Sequence, residues 1–524
     1  MVGSHKQRTL RGINWNFLRV LGQTFLGMVV VVVQARLLLP SDFGLVAIAV
    51  IFIGFAELIS VLGVGAAVIR VATPQHSQIR AATKMSLLII SVLIVLLLAI
   101  AQPVANFFAE PELTQIIKVL SVGLWFSGFS AVSRGLLMRR LDFKRLFIVD
   151  ITAYLFGYAV VGISLAALGF GVWSLVIGSL TTMLLSAFSL LYFVPPIFTV
   201  RLSERKTEKL LEERRHHRRD DETLTLSGRI GGMLSFGGGM SLIGIVNYLA
   251  LNVDYIIVGK FLNPALLGLY SRAYQLVMLP LNKIASTMST VMFPSFAEIQ
   301  NDSARIKRSY LMMVNAIALI TFPVLAGIAT GAEYVIVGLY GENWRGAAEA
   351  LRILTIAGML KAVCHMAAPV MQATGYVYAE LRRQFVYFLV IAVGCLGAVR
   401  YGIEAVSWAV VIGALWFYLS MARFVTRILS SSWKDFISAQ IPGMTVAAAV
   451  VLAQFLVIAL LHGTKSLAAP FVLVILAAVS CITYVLCLLY FPKRIIGEIP
   501  TWFIQNYARH APARIRGWLQ LRFP

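Results

Sequence analysis

Residues 259–283 read GKFLNPALLGLYSRAYQLVMLPLNK, and residues 35–49 read ARLLLPSDFGLVAIA. Set at an offset of 224 residues, Arg36 meets Lys260, Pro40 meets Pro264, Gly44 meets Gly268, Leu45 meets Leu269 and Ala49 meets Ala273. A turn proline, a glycine and a flanking cation that recur at one offset point to a duplicated membrane unit. The later copy also carries Arg272 and Lys283 in a segment otherwise apolar enough to span a bilayer. Full charges there are costly, so they are functional candidates by default.

Working outward, the whole chain reads as an all-α polytopic membrane protein. It is 524 residues long and 59% hydrophobic, with a mean hydropathy of +0.84. Apolar runs of roughly 20 residues recur along nearly its whole length, the length a spanning helix needs. About 14 spans are expected, at about 14–38, 44–68, 84–106, 114–136, 148–168, 172–194, 236–260, 270–294, 308–330, 346–372, 384–400, 404–424, 440–461 and 467–490. Lys6, Arg8 and Arg11 precede the first run, which has no small-residue cleavage site and reads as an uncleaved span. The weakest boundary is the short Arg400–Glu404 turn.

The repeat divides the chain. Residues 1–199 form one lobe of six spans, 200–230 a charged linker, 231–433 a second lobe of six, 434–490 an appended pair and 491–524 a basic tail. Both lobes start with a span entering from the same side, so the repeats are parallel. Lys84 and Arg308 keep the 224 offset, but Lys118 matches Arg352 and Leu120 matches Leu354 at 234. An insertion of about ten residues is therefore expected around Glu333 to Trp344.

Lys and Arg sort the connections. One side carries Lys6, Arg8, Arg11, Arg70, Arg80, Lys84, then Arg134 to Arg145, and later Arg305 to Arg308, Arg382, Arg383, Arg423, Arg427 and Lys434. The other carries Arg36, Lys260, Arg345, Arg400 and Lys465 among several glutamates. The positive-inside rule puts both termini in the cytoplasm, as an even span count requires. The net charge of +22 lies mostly in these connections and the tail. Anionic lipid headgroups account for it without nucleic acid. The 201–229 segment, with charges of both signs, suits a solvated, partly helical linker. His216 and His217 in it have no further Cys or His nearby to complete a metal site.

Six basic residues remain inside spans: Arg19, Lys118, Arg272, Lys283, Arg352 and Lys361, with Glu57, Asp254 and Asp150 as the acidic ones. Arg19 and Lys118 lie about a turn from span ends, where snorkelling is as good a reading as function. Lys283, Lys361 and Glu57 lie near mid-span. Arg272 and Lys283 are eleven residues apart, about 20° in helical phase and roughly 16 Å along the axis, with Gln275 beside them. Lys361 shares a face with His365 and Gln372, and Asn247 with Asp254. Arg352 is half a turn out of phase with Lys361. Both reach one cavity only if the helix bends, with Gly358 the available place, and otherwise Arg352 pairs or snorkels. Asp254 reads either as a coupling-ion site or as a salt bridge to Arg272. A cationic stripe suggests an anionic cargo, because a bare anion in hydrocarbon faces a very large desolvation cost.

What is missing narrows the class. There is no GxxxxGK[ST] loop, no Ser/His/Asp or metal constellation, and no cofactor motif. Cys364, Cys395, Cys481 and Cys487 lie in or beside apolar runs with neither metal spacing nor a disulfide framework. No enzyme is expected.

The stretches starting at Arg36 (RLLLPSDFGL), Glu57 (ELISVLGVGAAVIR), Asp254 (DYIIVG) and Leu267 (LGLYSRA) resemble the Wzx-type polysaccharide transporters of the multidrug/oligosaccharidyl-lipid/polysaccharide exporter superfamily. The resemblance covers roughly residues 5–490. It implies two six-helix lobes around a V-shaped central cleft with alternating access. It also implies a flippase of the bacterial inner membrane, moving undecaprenyl-pyrophosphate-linked oligosaccharide repeat units to the periplasmic leaflet for surface polysaccharide or exopolysaccharide synthesis. In related lipid II flippases spans one, two, seven and eight line the cleft, and the appended pair forms a groove for the lipid tail. The cationic set would then be Arg272, Lys283, Lys361, Arg352 and Arg19, with Glu57 or Asp254 pairing or binding a coupling cation and Asn247, Gln275 and His365 as polar lining. The protein is expected to act as a monomer in the bilayer, with polymerase or export machinery as possible partners. Two other readings stand beside this one. One is a cation-coupled multidrug exporter, against which the basic excess argues. The other is a non-transporting scaffold docked through the linker and tail.

Overall fold

The computed structural model describes residues 2–60, 76–140, 142–194, 226–298, 302–461 and 468–490; for 2–14, 17, 76–82, 226–240, 282–295 and 297–298 this covers the backbone alone. All the regular structure among them is helical. The spans are α1 (Val2–Leu37), α2 (Pro40–Ser60), α3 (His76–Phe108), α4 (Glu112–Arg139), α5 (Phe143–Ala167), α6 (Val172–Phe193), α7 (Leu226–Phe261), α8 (Pro264–Glu298), α9 (Ser303–Thr330), α10 (Glu342–Ala373), α11 (Val377–Tyr401), α12 (Ile403–Ile428), α13 (Trp433–Leu461) and α14 (Ala469–Tyr490). Among the described residues 13 of these are long and apolar enough to cross a membrane. The remaining one, α8, is an unbroken helix of 35 residues and carries both Arg272 and Lys283.

The helix ends repeat the register of the sequence. α1 ends at Leu37 and α2 starts at Pro40, while α7 ends at Phe261 and α8 starts at Pro264. Proline suits a first helical position, where its missing N–H would have no partner anyway and its φ is already helical. The backbone N–H of Leu39 donates to Asp42 Oδ2 at 3.0 Å, and that of Leu266 to Asn263 Oδ1 at 2.8 Å. Elsewhere Asp142 caps α5 and Asp302 caps α9 through the amides of Arg145 and Arg305. Ser432 and Asp435 form a reciprocal capping box at the start of α13.

The chain forms two compact units. The first holds residues 1–248 and 263–268, the second 249–262 and 269–524. The division therefore runs through α7 and α8. In the first unit α3 packs on α4 and α4 on α6, and α1 lies along α5. A cluster of Leu137, Leu146, Val149, Leu190 and Val194 closes one end of it. The middle of α5, Leu155–Gly162, is wound as a π-helix. In the second unit α9 packs on α10 and α13, and α12 on α10 and α11. The expected insertion is a short helix, Ala332–Tyr340, followed by a 3-10 turn, Glu342–Ala347. Arg345 ties it together through Glu333 and Glu342. α10 runs straight through Gly358 and breaks instead at His365–Met366, between Cys364 and Ala367.

Candidate functional site

Each unit gathers buried charge, and the two sites differ in kind. In the first, the hairpin between α4 and α5 brings Arg134 and Asp150 together across 16 residues, and α1 adds Arg19 from 131 residues away. Arg19 Nη1 donates to Asp150 Oδ2 at 2.8 Å. Arg134 Nη2 donates to Oδ1 at 2.8 Å and Nη1 to Oδ2 at 3.3 Å, a two-point grip. Asn16 and Ser186 hold the guanidinium edges that the carboxylate leaves over. Asp150 is only 5% exposed, against 17% for Arg19 and 31% for Arg134. Two cations on one buried carboxylate leave a net positive charge. It faces a cavity of about 390 Å³ whose wall includes Glu57, Ser127, Ser130, Arg134, Asp150 and Thr182.

The second unit holds its charges on tyrosines. Asp254 of α7 is 2% exposed and Lys361 of α10 is 5% exposed. The Tyr270 hydroxyl donates to Asp254 Oδ2 at 2.7 Å, and the Tyr255 amide donates to Oδ1 at 3.0 Å. Lys361 Nζ donates to the Tyr274 hydroxyl at 2.5 Å. Tyr270 and Tyr274, one turn apart on α8, stack with ring centroids 6.0 Å apart, and Tyr255 meets both edge-on. The ammonium also lies 5.0 Å and 5.6 Å from the ring centroids of Tyr274 and Tyr387, within cation–π range.

The sequence candidates scatter over both units. Arg19 and Glu57 belong to the first site, Asp254 and Lys361 to the second. Asn247 is half-buried near the end of the first unit's share of α7. Arg272 is half-buried and Gln275 exposed on α8. The side chain of Lys283 lies outside the described residues. His365 is exposed at the α10 break. Arg352, on a half-exposed surface, pairs with Glu349 at 2.5 Å and reaches the Ala329 carbonyl at 3.4 Å. The structure does not bring it to Lys361. Asp254 draws its hydrogen bonds from Tyr270 and its own neighbouring amide, where a bridge to Arg272 was one expectation.

The sequence reading missed Arg134, which counted among the loop cations, and the tyrosines, which it did not single out. Their signal was available: Tyr270 and Tyr274 are four apart on the helix that carries Arg272. A third feature lies in the second unit. α9, α13 and α14 enclose an apolar groove of about 410 Å³, walled by Ile320, Val324, Val450, Leu473, Leu476 and Tyr484.

A family model described as polysaccharide biosynthesis protein matches residues 33–212 and 222–349, more than half of the chain. The chain belongs to this family. Similar relatives are the lipopolysaccharide biosynthesis protein WzxC of Escherichia coli (strain K12), 22% identical over 83% of this chain and 84% of that one, and the succinoglycan biosynthesis transport protein ExoT of Rhizobium meliloti (strain 1021), 25% identical over 77% and 78%. Among solved structures, the lipid II flippase MurJ in an inward closed conformation covers 91% of this chain and 97% of its own at TM-score 0.63 and 14% identity. An inward-facing multidrug resistance transporter of the MATE family covers 78% and 94% at TM-score 0.58 and 20% identity. This member of the polysaccharide biosynthesis protein family is thus a multi-pass membrane protein with the fold of the superfamily that its sequence motifs resemble.

Proposed function

We propose that the protein is a flippase that moves undecaprenyl-pyrophosphate-linked oligosaccharide repeat units from the cytoplasmic to the periplasmic leaflet of a bacterial inner membrane by alternating access. What carries the reading is the net positive site of the first unit. Arg19 and Arg134 share one carboxylate beside a cavity inside a helical bundle. Fixed guanidinium groups lower the cost of bringing a diphosphate into a low-dielectric interior. The family and the names of its relatives, which speak of lipopolysaccharide biosynthesis and succinoglycan transport, favour a polysaccharide cargo over a drug. The groove between α9, α13 and α14 has the apolar lining a polyprenyl tail needs. No covalent chemistry is involved: the protein supplies binding and a path. In this reading both termini are cytoplasmic, which the distribution of Lys and Arg supports.

The test is leaflet translocation of a fluorescent undecaprenyl-pyrophosphate oligosaccharide in proteoliposomes. Wild type is expected to move it, and Lys283→Ala and Arg19→Gln to move it several-fold more slowly. Failure of well-folded wild type with every sugar offered, alongside export of a cationic drug, would overturn the reading in favour of a multidrug exporter.

A further inference from the structure

The polar side chains around the cavity of the first unit fall into two groups. Those of the triad are spent on one another: Asp150 accepts from Arg19 and Arg134, and Ser186 accepts from Arg134. The second group is not spent. Gln23, Glu57, Ser60 and Ser127 line the same cavity, and among the described residues their side chains form no hydrogen bond.

Helix spacing explains how this second group converges. Glu57 and Ser60 stand one turn apart on α2, so they share a face. Ser127, Ser130 and Arg134 follow one another on α4 at intervals of three and four, so they form one stripe. Ser127 lies seven residues from Arg134, roughly 10 Å along the axis. The Ser130 hydroxyl donates to the Ser127 carbonyl at 3.1 Å and that of Thr182 to the Gly178 carbonyl at 2.8 Å. Each therefore offers the cavity only lone pairs.

We infer that this wall is a sugar subsite. It takes the neutral sugar joined directly to the diphosphate, with the diphosphate on Arg19 and Arg134 and the sugar hydroxyls on Glu57, Ser60, Ser127 and Gln23. The inference rests on the flippase reading and adds to it which part of the cargo the first unit reads.

The chemistry of the wall selects this ligand over charged ones. A second anionic group would meet the Glu57 carboxylate, and like charges repel strongly in a low-dielectric interior. A cationic ligand would share the cavity with two guanidinium groups balanced by one carboxylate. A sugar hydroxyl suits both ends, because it donates to Glu57 and accepts from a serine or from the Gln23 amide. Leu93, Leu124 and Met183 complete the wall and offer apolar surface to the C–H faces of a ring. At about 390 Å³ the cavity is small, since ligand sites run from roughly 300 to 1,000 Å³. One sugar with its phosphates fits; the later sugars of a repeat unit stay outside.

The experiment measures binding by the full chain in lipid nanodiscs. Three probes are compared: undecaprenyl pyrophosphate alone, the same lipid bearing one neutral hexose, and the same lipid bearing one uronic acid. Wild type is expected to bind the hexose lipid about tenfold more tightly than the bare one, the gain of one or two good hydrogen bonds. The uronic acid lipid is expected to gain nothing. Glu57→Gln is expected to tighten binding of the uronic acid lipid several-fold, which a merely structural role would not do. Should that variant not fold, Ser60→Ala/Ser127→Ala is expected to lose most of the hexose advantage and to bind the bare lipid as wild type does. Equal binding of bare and hexose lipids by wild type would overturn the inference and leave the flippase reading standing. So would competition by the free hexose as strong as that of the hexose lipid. Binding of none of the three lipids by well-folded wild type would overturn both.

Discussion

Gly44 packs its Cα directly against the carbonyl of Pro264: a Cβ at Gly44 would lie 1.8 Å from that oxygen. The mirror contact also exists, because a Cβ at Gly268 would lie 1.8 Å from the Pro40 carbonyl oxygen. The first turns of α2 and α8 therefore cross backbone to backbone within the first unit. Each glycine of the repeat is the seat for the other copy's proline.

Gly44→Ala and Gly268→Ala are accordingly expected to destabilise the protein to a similar degree. Forcing one carbon into a packed contact typically costs about 1–3 kcal/mol, and a backbone obstacle at this distance puts both at the upper end. Thermal unfolding in detergent reads this out; one variant melting like wild type would show that the two contacts are not equivalent.

The triad of Arg19, Arg134 and Asp150 predicts an order of effects. Asp150→Ala leaves two guanidinium groups without their carboxylate. It should cost about 1–3 kcal/mol, less than the roughly 3–5 of a fully buried pair because both arginines are partly exposed. Arg19→Gln should cost less than Arg134→Gln, since Arg134 makes the two-point contact and also holds Ser186. Chemical denaturation of the three variants in one detergent checks the ranking.

The two tyrosines that face Lys361 should behave oppositely. Tyr274→Phe removes the acceptor of a charged donor and should cost about 1.5–3 kcal/mol. Tyr387→Phe removes a hydroxyl that has no partner and should be neutral or stabilising. Equal losses of melting temperature in both would contradict the hydrogen bonding seen here.

Arg352→Ala should matter little. Its side chain is 49% exposed and Glu349 51%, and exposed pairs contribute at most about 1 kcal/mol. A large fall in melting temperature or in translocation would give Arg352 a role that its present partner does not explain.

These relationships divide what the chain reveals by itself from what it conceals. Helices and their repeat were legible because they depend on local residue types: apolar length, and a proline and a glycine that recur at one offset. Pro40 and Pro264 read as turn residues ahead of spans starting at about 44 and 270, whereas they open α2 and α8 themselves. The ten-residue insertion was legible from the change of offset alone. Other features depend on neighbours distant in the chain. The π-helical middle of α5 has no local mark. A bend in α10 was required only if Arg352 and Lys361 shared a cavity, with Gly358 as its place; Gly358 is packed tightly by Val277 and Leu325, and the helix breaks at His365 instead. Lys361 read as part of an open cationic lining, yet it is enclosed by tyrosines whose hydroxyls carry no charge to announce them. Arg134 read as a loop cation, because its partner Asp150 is visible only once α4 and α5 lie side by side.

The triad has a consequence for how the chain is made. Arg19 precedes Asp150 by 131 residues and Arg134 by 16. At ordinary rates of synthesis, α1 is complete roughly 10 s before its counter-ion leaves the ribosome. The newborn first helix thus carries an unmatched guanidinium into the insertion machinery and must wait there, or sit shallow with its charge at the headgroups, until α5 emerges. Seating of α1 is a late event of biogenesis, and a ribosome that stalls before Asp150 leaves the first helix of the protein without its final place in the membrane.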